Sequence, residues 1–131
     1  MTRINGRKLG IWSLRIDAIY CLILGAFVAI TAPQLSRVIA LPMPLIAGTG
    51  LLVAIWAMLV WRMVQRMRIR LALQLVMGVN IVAALLIVAA SLTSASTLVM
   101  FIVVAVAIDV ALFAVSQAVA IRNIGPALLA R

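Results

Sequence analysis

The chain contains no histidine, one cysteine and only two acidic residues among 131. Each shortage removes a class of chemistry. Without histidine, the commonest metal ligand and the usual axial ligand of haem are both missing. Cys21 stands alone, so it can form no intramolecular disulfide and belongs to no Cys-x-x-Cys pair. Two acids, Asp17 and Asp109, are too few for a spaced carboxylate set, and neither a glycine-rich phosphate loop nor a nucleophile elbow occurs. The expectation is a protein that is not an enzyme and carries no cofactor or metal. Met58, Met63, Met67 and Met77 read as gap-fillers on apolar helices rather than as copper ligands.

What the chain has in abundance is apolar residues, at 68%, with only 10% charged and a mean hydropathy of +1.35. A soluble domain of this size needs far more polar surface. The apolar residues run in four blocks, about 11–32, 44–64, 71–91 and 97–121. At roughly 1.5 Å per residue each is long enough for a hydrocarbon core of roughly 30 Å. The expected fold is therefore all-α, a single polytopic membrane domain built as an antiparallel bundle of four transmembrane helices. Arg3, Arg7 and Lys8 before an apolar run resemble a signal peptide. Arg15 and Asp17 interrupt that run, however, and Ile30 and Pro33 flank Ala32 where a cleavage site would need small residues, so an uncleaved first span is expected.

Charge sets the orientation. The formal net charge is +9, yet the basic residues gather at the ends of apolar runs, which argues against nucleic acid as a partner. Arg3, Arg7, Lys8, Arg15, Arg62, Arg66, Arg68, Arg70, Arg122 and Arg131, ten of the eleven, fall on one side of a four-span arrangement, and only Arg37 falls on the other. The positive-inside rule makes the first side the cytoplasm, with both termini there and one orientation for every molecule of a multi-pass protein in a bacterial plasma (inner) membrane. The stretch 62–70 reads as a basic cytoplasmic loop in which Arg62, Arg66, Arg68 and Arg70 contact anionic lipid headgroups.

Small residues indicate where helices approach. Gly48, Gly50 and Ala54 form a track in the second span, with Gly50 and Ala54 at small-xxx-small spacing. Ala107, Ala111, Ala114 and Ala118 read as one face of the fourth. Met1 to Gly10 read as a polar tail, and Arg122, Asn123, Gly125 and Pro126 as a helix stop. The connection from Pro33 to Pro44 is either a turn or two of interfacial helix, with Leu35, Val38 and Ile39 on one side, or an irregular loop.

Both acids fall inside spans, where an aspartate at the centre costs about 2.5 to 3.5 kcal/mol on insertion scales. Asp17 lies about two turns into the first span, with Gln74 and Gln117 expected at comparable depth and Arg15 and Arg70 nearby. Two readings stand: an ion-pair and hydrogen-bond cluster tying helix ends, or a cytoplasmic vestibule for an ion, proton or polar headgroup. Asp109 falls near the middle of the fourth span, with Asn80 as the expected partner and Cys21 or Thr49 as further neighbours. It reads as a helix–helix contact, a proton or cation relay, or a contact with a partner subunit.

Leu14-Arg15-Ile16-Asp17 opening the first span, Leu41-Pro42 before the second, Asn80 in the third and Gln117 near the end of the fourth resemble the small, uncharacterised four-span integral membrane proteins of actinobacteria. The resemblance implies a four-span bundle with no established activity, so no catalytic residue carries over, and Asp109 is not part of the pattern. Size and span number are also similar to the small multidrug resistance transporters, but those rely on an acid in the first span and often tolerate opposite orientations. The leading expectation is a non-enzymatic interaction or accessory subunit of a larger membrane complex, such as a respiratory one. The alternative is a proton- or cation-coupled carrier acting as a homo-oligomer through Asp109 and Asp17.

Overall fold

The computed structural model describes residues 5–124. Arg3, Arg131 and the helix-stopping pair Gly125 and Pro126 lie outside them. The elements are α1 (Gly6–Ile30), a single-turn α2 (Ala32–Leu35), α3 (Met43–Arg66), α4 (Ile69–Ser91) and α5 (Thr97–Asn123). The helices α1, α3, α4 and α5 are each long and apolar enough to cross a membrane. The protein is an all-α, multi-pass membrane bundle.

The helices begin and end where local chemistry permits. Asn5 caps α1, its side chain accepting from the Lys8 amide at 3.2 Å. The first helix therefore starts five residues before the expected span, and the stretch up to Gly10 is not a structureless tail from Asn5 onward. Pro42 and Pro44 flank the first residue of α3, where a missing N–H is no loss. Ser96 caps α5 through the Val99 amide. The stretch 62–70 is not a loop: Arg62 and Arg66 belong to α3, Arg70 to α4, and only Met67 and Arg68, both extended, turn the chain. Arg66 in the last turn of α3 complements the negative end of its dipole.

Consecutive helices run antiparallel. One end of the bundle holds the start of α1, the α3–α4 turn and the end of α5, and so most of the arginines; the other holds α2 and the α4–α5 turn. The connection after Pro33 combines both expected forms, with one turn of helix followed by an isolated bridge of Ile39 to Ser94. Ala40 N–H donates to Thr93 O at 3.1 Å and Ala95 N–H to Val38 O at 2.8 Å, so the two far-end connections are stitched together.

The interior combines a few leucines and valines with small and polar residues, while most of the large apolar side chains face outward. Leu14, Leu73, Val60 and Val76 centre the core with Ala18, Ala72 and Ala120. Ile23, Leu52, Leu85, Phe101 and Leu112 are exposed on the outer surface. In water that arrangement would be an aggregation hazard; in hydrocarbon, which solvates these side chains, it is the expected one. The helices α1 and α3 approach closely at small residues. A Cβ on Gly50 would stand 2.5 Å from Ala29 N, and one on Gly25 would stand 2.6 Å from Gly50 O. Gly48 instead faces open space. On α5 the inward stripe is Ala107, Val110, Ala114, Gln117 and Ala120, with Ala111 exposed, so the expected alanine face is displaced around the helix.

Candidate functional site

Asp17 is buried at the junction of α1, α4 and α5, with 2% of its surface exposed. One carboxylate oxygen, Oδ2, accepts from Asn80 Nδ2 at 2.6 Å and from Gln117 Nε2 at 2.8 Å. Its Oδ1 accepts from Cys21 Sγ, one turn along α1, at 3.4 Å. Asn80 Nδ2 also approaches Gln117 Oε1 at 3.3 Å, closing the set. Each member comes from the inward stripe of its helix, beside Leu14 and Ala18 on α1, Leu73 and Val76 on α4, and Ala114 and Ala120 on α5. The apolar neighbours exclude water, so these side chains find their partners in one another.

Two expectations about this cluster are corrected. Asn80 pairs with Asp17, not Asp109: α1 begins at Gly6, so Asp17 lies eleven residues into a 25-residue helix, nearer its middle than a start at Ile11 implied, and it faces inward while Asp109 faces outward. Arg15 and Arg70 do not join it. The Arg15 guanidinium lies 5.9 Å from the ring centre of Trp61 on α3, a cation–π contact on the outer surface. Gln74 is exposed near the basic end and takes no part either. The cluster ties three helices together through amides and a thiol, with no guanidinium among the described partners of Asp17.

Asp109 forms a separate site. It is exposed on the outer surface of α5, and its Oδ2 accepts from the Tyr20 hydroxyl of α1 at 3.1 Å. The Tyr20 ring packs against Phe113 at 5.4 Å, tilted by 57°. Two turns nearer the basic end, Ser116 Oγ donates to the Phe113 carbonyl and accepts from Ser13 Oγ at 2.6 Å. A shallow groove of about 430 Å³ runs along this α1–α5 seam, lined by Tyr20, Asp109, Leu112, Phe113 and Ser116. Tyr20, Ser13 and Ser116 carry polar atoms at the seam that the sequence reasoning did not single out. Their signal was spacing: Ser13 and Tyr20, and likewise Asp109 and Ser116, are seven residues apart, two helical turns on one face.

Of the four arginines expected at lipid headgroups, Arg68 and Arg70 line a cleft at the basic end together with Gln74, while Arg62 and Arg66 lie outside it and are exposed. Among the described residues, no three of His, Cys, Asp and Glu come together as a metal-binding group. Set against protein-family models, curated proteins and solved structures, the chain matches none.

Proposed function

We propose that this protein is a non-enzymatic interaction subunit of a larger complex in a bacterial plasma membrane, docking through the α1–α5 seam. The observation that carries the reading is Asp109, an acid at the middle of the most apolar span, exposed on the outer surface with one hydroxyl as its described partner. An acid left against lipid at that depth costs about 2.5 kcal/mol or more, a penalty removed when another protein segment covers it.

The occupant is a transmembrane helix of a different chain, presenting a basic side chain or several hydrogen-bond donors at mid-depth. Charge complementarity argues for it. Between Arg15 and Arg37, between Arg37 and Arg62, and between Arg70 and Arg122 this chain carries no basic residue. A second copy therefore offers Asp109 no cation at its level, and Arg15, the nearest in depth, is committed to Trp61. The carrier reading calls for acids along one interior path, whereas Asp109 and Asp17 belong to separate hydrogen-bond sets, one outward and one inward.

A photo-cross-linking residue in place of Leu112, at the groove, tests this in native membranes. The expected product is an adduct with a transmembrane segment of a different chain bearing a basic or amide side chain, and Asp109→Ala should suppress it. Cross-linking only to a second copy, or only to lipid, would overturn the reading.

A further inference from the structure

At the basic end, α1, α3, α4 and Ile124 just past α5 border a cleft of about 480 Å³. Arg7 of α1, Arg68 of the turn, and Arg70 and Gln74 of α4 bring polar groups to it, and Ile11 and Val64 form part of its apolar lining. Neither acidic side chain of the protein reaches it, since Asp17 is enclosed by Asn80 and Gln117 and Asp109 lies on the α1–α5 seam. Three arginines thus line one cavity with no acidic side chain to balance them. The α4 N-terminus, 23 residues of aligned peptide dipoles with no side-chain cap, opens beside Arg68 and adds positive potential.

We propose that this cleft is a binding site for an anionic phospholipid, whose phosphodiester is held by Arg7, Arg68 and Arg70 while its glycerol and upper acyl carbons lie against Ile11 and Val64. Guanidinium forks match phosphate oxygens in pairs, and Gln74 supplies a neutral amide donor. Lipid is favoured over a soluble phosphate by the mixed lining. The cleft sits where four spans leave hydrocarbon for the headgroup layer, and apolar side chains continue inward from the arginines. The site is distinct from general attraction of a basic surface to an anionic membrane, because it excludes Arg62 and Arg66 and recruits Arg7 from a distant part of the sequence.

Delipidated full-length protein in neutral detergent, titrated with phosphatidylglycerol and followed by native mass spectrometry, tests this. One tightly held lipid per chain is expected. The variant R7Q/R68Q/R70Q should weaken it by about tenfold or more, whereas R62Q/R66Q, which removes two charges outside the cleft, should weaken it less than about threefold. Should the triple variant fail to fold, Arg70→Gln alone is read against Arg62→Gln in the same way. Equal losses in cleft and control variants would overturn the proposal, and so would equal retention of phosphatidylcholine. Displacement of the lipid by millimolar inorganic phosphate would mark a soluble-anion site and equally overturn it.

Discussion

Removing the Asp17 carboxylate would strand the Gln117 amide donor and leave Asn80 with only its longer contact to Gln117 Oε1, in a region closed to water. Interhelical hydrogen bonds in membranes contribute about 0.6 to 2 kcal/mol each, and an abandoned buried donor costs about 1 to 3 kcal/mol. Asp17→Ala is therefore expected to lower stability by about 1 to 3 kcal/mol, measured by equilibrium unfolding in mixed micelles. Gln117→Ala should cost less, because Asn80 still reaches Asp17. Equal effects of the two would contradict the central place given to the carboxylate. Depth along the chain brought Asp17 and Gln117 together from the sequence alone, but it assigned Asn80 to the wrong acid. The missing information was azimuth. With Gln117 inward, Val110 and Ala114 share its stripe, and Asp109 falls roughly 80° away at 100° per residue. Ala107 lies as far from Gln117 on the opposite side and is buried, so Asp109 falls just beyond the edge of the stripe that α5 packs inward.

The hairpin of α1 with α3 depends on an absence of side chains. Gly25 and Ala29 on one helix meet Gly50 and Ala54 on the other, close enough that any Cβ at either glycine would meet backbone atoms. Backbone cannot swing aside as a side-chain tip can. Gly50→Val is thus expected to force α1 and α3 apart and to destabilise the bundle by about 2 kcal/mol or more. At Gly78 a Cβ meets nothing within 4 Å, so Gly78→Ala should be neutral or stabilising by up to about 1 kcal/mol from helix propensity. Unfolding midpoints of both variants in one detergent decide the matter, and similar losses would show that close approach is not what sets this pair. Half of the contact was legible, as the Gly50 and Ala54 spacing. The complementary pair in α1 was not, since Gly25 stands among large apolar residues that turned out to face outward. The bridge between Ile39 and Ser94 joins residues far apart in the chain and left no local pattern to find.

At the scale of the whole molecule, two distributions govern the protein: apolar side chains around the outside and guanidiniums at one end. Both are legible in the sequence because a membrane imposes them on long stretches rather than single positions, so errors of a few residues at helix ends leave them intact. The charge distribution carries the last prediction. Among the described residues, Arg7, Lys8, Arg15, Arg62, Arg66, Arg68, Arg70 and Arg122 lie toward the end of the bundle opposite Arg37. Inverting the molecule would carry all eight across the bilayer in exchange for one. An orientation bias of that size predicts a single topology with the α3–α4 turn in the cytoplasm. Gln34 and Gln65 are exposed at opposite ends, and Cys21 is buried, so the wild type should react little with a membrane-impermeant maleimide. In intact cells stripped of their outer barrier, Q34C should label at once and Q65C only after permeabilisation. Comparable labelling of both before permeabilisation would mean that the arginines do not set the orientation and that both orientations coexist.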